Sequence, residues 1–222
     1  GLYMDDDWWQ WSPAGGLPER LVRRTRTIAE QAWSRYGRHG SFAGWYIPPE
    51  PADTLGPEAI PALKAFLRET SGLCRKLSGG KPVGFSPYLT GQLQAEVVEN
   101  HYADLLTDSG IDILMLQDGV GARKWDEVVH SRVVPLFRAM RDACLAAGVE
   151  LWADVEIFHN QSGDPNRPRF LPSNTRRLAM QLAAENPFAT RLIAFDFFHY
   201  MSPHRGERQR RFYEAYLQEF VD

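Results

Sequence analysis

Acidic and aromatic side chains recur where the apolar runs of this sequence end. The clearest cases are residues 42–50 (FAGWYIPPE), 111–121 (IDILMLQDGVG), 151–158 (LWADVEIF) and 192–199 (LIAFDFFH). Carboxyl groups can serve as general acid, general base or nucleophile. Aromatic rings offer flat apolar surfaces on which other molecules can stack. The pattern therefore predicts one chemical centre that is assembled from several separate segments.

Each of these segments is typical of a strand that is followed by a helix. Strand-like runs occupy residues 1–4, 43–47, 83–88, 111–117, 151–155 and 192–197. Apolar residues at helical spacing lie between them. Near-continuous apolarity indicates parallel strands that are buried on both faces. Because no two predicted strands are adjacent along the chain, their connections should be right-handed crossovers.

This alternation predicts an α/β fold of the (β/α)8 TIM-barrel type, in which chemistry collects at the C-terminal ends of the strands. A doubly wound open sheet is the alternative, but no glycine-rich phosphate loop follows a strand. The 222 residues should form one domain over residues 1–222. A full barrel has eight units in roughly 250 residues, and here we count about six. We therefore expect about two N-terminal units to be missing from this chain.

Composition narrows the class of protein. The 25 basic and 28 acidic residues give a formal net charge of -3, whereas a nucleic-acid-binding protein usually carries a basic face. No apolar run is long enough to span a bilayer. The two cysteines, Cys74 and Cys144, should be buried free thiols. No Cys/His cluster indicates a metal and no motif indicates a cofactor, so we expect neither. No pattern indicates an oligomeric state.

Four motifs together resemble the domain-of-unknown-function family 4434: GWYIPPE at 44–50, GFSPY at 84–88, LQDGVG at 116–121 and LWADVEIF at 151–158. The resemblance covers nearly all of the chain. It implies a glycoside-hydrolase-like TIM barrel from a group that is often bacterial and often exported. It thus implies an extracellular or periplasmic location, although this chain contains no signal peptide. The opening GLYMDDDWW resembles the third barrel strand and the loop after it.

On that alignment, the fourth and seventh barrel strands deliver Glu50 and Glu156. The arrangement resembles the large clan of retaining barrel glycosidases, and it implies that Glu50 is the acid/base and Glu156 the nucleophile. The substrate would be an oligo- or polysaccharide, and the two carboxyl groups should lie about 5 to 5.5 Å apart. Pro49 stands where that clan has Asn, so another residue would have to bind the 2-hydroxyl group. Alternatively, Glu50 is a surface carboxylate and Glu156 a structural ion-pair partner of an arginine.

Further acidic and aromatic residues at the strand ends and in the first loop are candidates for substrate binding: Asp5, Asp7, Trp8, Trp9, Tyr46, Tyr88, Asp118, Trp152, Asp154, Asp196 and His199. Strand alternation places Asp154 on the face of Glu156 but one layer deeper, where a carboxylate needs a partner. It is therefore either structural or catalytic. Asp118 could orient substrate, tune a glutamate or form an Asp-Gly turn. The polar segment at residues 159–170 should be a mobile loop at the active site.

Two other functions remain open on these residues. One is a barrel that binds carbohydrate through the same cleft without catalysis. The other is a metal-dependent barrel hydrolase that would use Asp118, Glu156 and His199.

Overall fold

The computed structural model describes residues 1–2, 19–54, 58–162 and 167–221. Its elements in chain order are α1 (Glu19–Tyr36), β1 (Trp45–Ile47), α2 (Ile60–Ser78), β2 (Val83–Phe85), α3 (Ala95–Leu106), β3 (Ile113–Gln117), α4 (Val120–Arg123), α5 (Val129–Ala147), β4 (Glu150–Glu156), β5 (Phe158–Asn160), β6 (Phe170–Pro172), α6 (Thr175–Glu185), β7 (Arg191–Phe195), α7 (Phe197–Tyr200) and α8 (Glu207–Phe220). Five predicted strands thus coincide with β1, β2, β3, β4 and β7. Most of the strand predicted at residues 1–4 lies outside the described residues.

Five strands form one parallel sheet in the order β1-β2-β3-β4-β7. The register pairs Ile47 with Phe85 at one side of the sheet and Glu156 with Phe195 at the other. Leu2 donates its backbone N–H to the carbonyl oxygen of Tyr46 at 2.9 Å, so residue 2 lies beside β1. Since all five strands run the same way, their C-terminal ends share one edge of the sheet.

The outer face of this sheet is buried against helices. Ile47, Phe85 and Leu114 are fully buried there. Phe137 of α5 is fully buried as well, and burying each such side chain stabilises the fold by about 1.5–3 kcal/mol. The prediction of two buried free thiols is confirmed for Cys74 and Cys144. Among the described helices, none is long and apolar enough to cross a membrane.

The segment at residues 159–170 corrects the prediction of a plain mobile loop, and it also shows that strands can be adjacent along this chain. β5 pairs antiparallel with β6, with Phe158 opposite Pro172. The Phe158 and Phe170 rings meet edge to face, 4.7 Å apart. Asn160 Oδ1 accepts the backbone N–H groups of Ser162 and Arg169. A three-residue strand is too short to show an alternating pattern in a polar segment, which is why the hairpin was missed.

Candidate active site

Glu50 and Glu156 both lie at the C-terminal edge of the sheet. Glu156 is the last residue of β4, and Glu50 follows β1 by three residues. Isolated parallel bridges continue the sheet beyond its strands, from Ala52 to Tyr88 and from Tyr88 to Gln117. The loop that carries Glu50 is therefore held in register with the two strands beside it.

Asp53 also holds the loop that carries Glu50, through hydrogen bonds to a neighbouring loop. Its side chain is 2% exposed and accepts hydrogen bonds from the backbone N–H of Thr90, at 3.0 Å, and from the Thr90 hydroxyl. A buried carboxylate with several donors ties two loops together firmly. Sequence reasoning did not single out Asp53. Its signal is only an Asp two residues after a proline.

Glu50 and Asp154 lie close together and share a group of polar neighbours, namely Tyr46, Ser86 and Gln117. The Ser86 hydroxyl lies 3.1 Å from Asp154 Oδ2. Burial raises the pKa of Asp154 to about 7, and the charges of Asp118 and Glu50 add to the rise. Burial also raises the pKa of Glu50, against a hydrogen bond from Gln117. Burial, and then the charges of Glu50 and Asp154, raise the pKa of Tyr46.

Glu156 has different neighbours. Its Oε2 accepts the backbone N–H of Ala122 at 2.7 Å, and the side chain is only 4% exposed. Burial raises the pKa of Glu156 to about 8, and the charge of Asp118 adds to the rise. The Ala122 and Gly121 N–H groups and the Arg177 guanidinium act in the opposite direction. Position 121 needs glycine, because a Cβ there would lie 2.0 Å from the carbonyl oxygen of Phe158.

Asp118 lies behind Glu156 and is fully buried. Its Oδ1 accepts the backbone N–H groups of Val120, at 3.0 Å, and Glu156, at 3.4 Å. Its Oδ2 accepts from Gln181 Nε2 at 2.5 Å. This placement favours two of the alternatives for Asp118, the Asp-Gly turn and an action on Glu156, and contact with substrate stays a prediction.

An aromatic group surrounds the Glu156 side of the edge. The Phe158 ring lies 4.9 Å from the Tyr200 ring and 6.2 Å from the Phe195 ring. Burial raises the pKa of Tyr200, with further contributions from the charges of Asp196 and Glu156. Asp196 caps α7 through the backbone N–H of His199 and pairs with His199 Nδ1 at 2.8 Å. These two predicted residues thus stand at the end of β7, partly exposed.

Trp152, which was predicted to bind substrate, lies away from the C-terminal edge of the sheet. It lies four residues before Glu156, which is about 13 Å along a strand. Its ring lines a cavity of about 350 Å³ with Tyr46, Met115 and Gly84, near the starts of the strands. The Arg191 guanidinium covers the ring at 5.2 Å. Trp152 thus lies apart from the C-terminal edge, and its contact with substrate stays a prediction.

The remaining predicted residues are placed as follows. Tyr88 is half-buried at the edge, with the Arg123 guanidinium 5.6 Å from its ring centre. Asp5, Asp7, Trp8 and Trp9 lie outside the described residues. A separate groove of about 450 Å³ between the β5–β6 hairpin and α8 is lined by none of the candidate carboxyl groups, so it is not the centre that we describe.

The structure therefore brings Glu50 next to Asp154 and Glu156 next to Asp118. The predicted 5 to 5.5 Å between Glu50 and Glu156 stays a prediction. In the described part of the chain, no three His, Cys, Asp or Glu side chains are grouped to hold a metal ion. His199, which the metal-dependent alternative requires, is instead paired with Asp196.

Several contributors were missed from sequence. Ser86 and Gln117 lie within the motifs GFSPY and LQDGVG, and their positions at strand ends were the available signal. Three more residues, Arg177, Gln181 and Glu185, recur every four residues on α6. That spacing is the available signal for a single polar face, but polar faces of helices usually indicate solvent.

Comparison with known proteins bears on fold and family. The chain is similar to a crystal structure from Bacteroides thetaiotaomicron described as a "putative alpha-L-fucosidase", with a TM-score of 0.75 and 23% identity over 98% of this chain and 68% of that one. It is also similar to an intracellular xylanase from Thermoanaerobacterium saccharolyticum, solved as a glutamate-to-alanine variant with xylotriose. Here the TM-score is 0.50 and the identity 15%, over 85% of this chain and 61% of that one.

This chain thus spans less than two thirds of the xylanase. Among curated proteins, none matches it in sequence. The likeness in structure confirms the predicted α/β fold of the TIM-barrel type, as found in glycoside hydrolases. The family model described as a domain of unknown function (DUF4434) matches residues 1–207, and the chain belongs to that family.

Proposed function

We propose that the protein is a glycoside hydrolase that retains anomeric configuration, with Glu50 as acid/base and Glu156 as nucleophile. One observation carries the proposal. Glu156 ends one strand and Glu50 follows another by three residues, both at the C-terminal edge of one parallel sheet, and burial raises the pKa of both. Catalytic groups are the groups whose pKa values proteins perturb in this way.

The two environments suit the two roles. Glu156 accepts the Ala122 N–H, which fixes the direction of its carboxyl group, and the Arg177 guanidinium nearby acts against the rise of its pKa. Glu50 is half-buried, so it can exchange protons with water and leaving groups. In the first step, Glu156 attacks the anomeric carbon while Glu50 protonates the departing oxygen. In the second step, Glu50 takes a proton from water as the water oxygen displaces Glu156 from that carbon.

A carbohydrate substrate is supported by the named relatives, one described as a fucosidase and the other a xylanase bound to xylotriose. We propose that Tyr46, Tyr88, Asp196 and His199 contact the sugar, since all four lie at or near the strand ends. Because the similar xylanase binds xylotriose, we propose an oligo- or polysaccharide as the substrate class. The sugar itself is a question for the assay.

A barrel that binds carbohydrate without hydrolysis is the second candidate. The observation that favours it is that protein groups already satisfy Glu156. The side chain is 4% exposed, accepts a backbone N–H and has an arginine nearby. Such a carboxyl group can be purely structural.

The test is hydrolysis of a panel of aryl glycosides by the protein and its Glu50→Ala and Glu156→Ala variants, with and without azide. The proposal expects both variants to lose activity. Azide should rescue each of them with opposite anomeric configuration in the glycosyl azide, since it replaces the nucleophile in one and the water in the other. Glu150→Gln, at the other end of β4, is the matched control and should keep full activity.

Three results would count against the proposal. Hydrolysis that survives in Glu156→Ala would remove the nucleophile assignment. Inversion by the unmodified protein would remove retention. Sugar binding without any turnover across the panel would favour the second candidate. The pH profile assigns the roles independently. A nucleophile must be ionised, so kcat/KM should rise with pH near 8 and not fall there.

A further inference from the structure

A buried polar stripe on α6 stands directly behind Glu156. Arg177, Gln181 and Glu185 follow one another at four-residue spacing, and their side chains are 3%, 0% and 0% exposed. Residues at this spacing share one face of a helix. The face meets the ends of β3 and β4, where Asp118 and Glu156 lie.

The polar groups of Arg177 and Gln181 both have hydrogen-bond partners. Arg177 donates to the carbonyl oxygens of Glu156, at 2.8 Å, and Phe158, at 2.5 Å. Gln181 donates to Asp118 Oδ2 and to the carbonyl oxygen of Glu156, and its own Oε1 accepts from Arg177. Together they fix the backbone of β4 where it leaves the sheet.

Glu185 differs from both. Neither of its carboxyl oxygens accepts a hydrogen bond from the described residues, although both are buried. The group that it interacts with is the carboxyl group of Asp118. Buried polar groups without partners are rare, and a buried ionised carboxylate without a donor is costly.

Charge counting decides which group carries a proton. Asp118, Glu156 and Glu185 are three buried carboxyl groups, and the Arg177 guanidinium lies near Asp118 and Glu156 and is shared with the half-exposed Asp126. Three buried negative charges cannot be balanced by one guanidinium. Asp118 accepts three hydrogen bonds and Glu156 accepts one, whereas Glu185 accepts none. The proton therefore belongs on Glu185.

We propose that Glu185 is a positioning residue that keeps its proton at neutral pH and so allows Asp118 to stay ionised behind Glu156. An ionised Asp118 accepts the backbone N–H groups of Val120 and Glu156, and these hydrogen bonds set the corner from which the Glu156 side chain projects. Ionisation of Glu185 would instead push a proton onto Asp118 or Glu156. The inference rests on the proposed function only in giving Glu156 a catalytic role.

The charged groups that act on Glu185 are Asp118 after β3 and Asp154 and Glu156 on β4. Because burial is the main cause and the three acids add to it, the pKa of Glu185 lies well above its ordinary value of 4.5. Folding then costs more as pH rises from that value, since the unfolded chain releases the proton and the folded chain keeps it.

The direct test is a titration of side-chain carboxyl carbons by NMR on the full chain labelled with ¹³C, with Glu185→Gln to assign the signal. We expect the Glu185 signal, which is identified by its disappearance in the variant, to stay in its protonated position through pH 7. A Glu185 signal that titrates near pH 4.5 would overturn the proposal. This readout needs no substrate, so it stands even if the protein proves not to be a glycoside hydrolase.

Chemical denaturation across pH supplies the second arm. Glu185→Gln keeps a donor for Asp118 and should fold. Relative to this variant, the equilibrium constant for unfolding of the unmodified protein should grow by up to tenfold per pH unit above pH 4.5.

A third test uses Glu185→Leu, which has no donor for Asp118. This substitution should shift the titration of Glu156, and Gln at the same position should restore it. Parallel stability curves for the unmodified protein and Glu185→Gln would contradict the proposal, as would identical Glu156 titrations in the Leu and Gln variants.

Discussion

Asp154→Asn should make this protein more stable at neutral pH, although it removes an acidic residue from the candidate active site. Asp154 is 7% exposed, and burial raises its pKa to about 7 from an ordinary value of 3.8. The folded chain therefore holds a proton that the unfolded chain releases, and this lowers stability. An asparagine has no proton to lose and can still accept from Ser86.

The size of the effect follows from the two pKa values. Their difference is 7 − 3.8, and with 1.36 kcal/mol per pKa unit the folded state loses at most about 4 kcal/mol at pH 7. Below pH 3.8 both states are protonated, so the variant should gain nothing there. The gain should grow between pH 4 and pH 7 and then become constant, because above the folded-state pKa both states are ionised.

The assay is urea denaturation followed by circular dichroism at several pH values from about 4 to 8. Glu150→Gln is the matched control, because it makes the same kind of change at the exposed start of the same strand. Its stability should follow that of the unmodified protein at every pH. If Asp154→Asn were less stable than the unmodified protein at pH 7, Asp154 would be an ionised and well-compensated carboxylate. That result would refute the reasoning from burial.

Two further substitutions test how Glu156 is held. Gly121→Ala should lower the unfolding free energy by about 1–3 kcal/mol, because the new Cβ would overlap the Phe158 carbonyl oxygen. Gly72→Ala in α2 places a Cβ that meets no atom within 4 Å, so it should be neutral or stabilising in the same urea denaturation. Arg177→Met should cost about 3–5 kcal/mol through the loss of a buried cation, whereas Asp126→Asn at its half-exposed partner should cost under about 1 kcal/mol. Equal losses within either pair would contradict this account.

The main sheet could be predicted from sequence because its strands appear as near-continuous apolar runs, even in β7, which is largely exposed. The same property predicted that Glu50 and Glu156 would lie at one edge, since parallel strands end together. Period-two alternation also assigned Trp152 and Asp154 to the face of Glu156. It carries no information on depth, so it could not show that Trp152 lies about 13 Å along the strand from Glu156.

The support behind Glu156 could not be predicted for a different reason. Arg177, Gln181 and Glu185 have the spacing of a solvent-exposed helix face, and only the packing of α6 on β4 turns that face inward. Likewise, Asp118 precedes a glycine, which indicates a turn, but only the folded chain shows that its second oxygen meets Gln181. The β5–β6 hairpin is held by one edge-to-face pair of phenylalanines and by one asparagine, which are contacts between residues separated along the sequence.

The hairpin has a consequence for how the rim of this barrel can vary. Arg177 clamps the carbonyl of Phe158 at its root, and Asn160 closes its base, so both attachment points are independent of whatever follows residue 162. The number of residues between these attachment points could therefore change while the carboxyl group at the end of β4 stays in place.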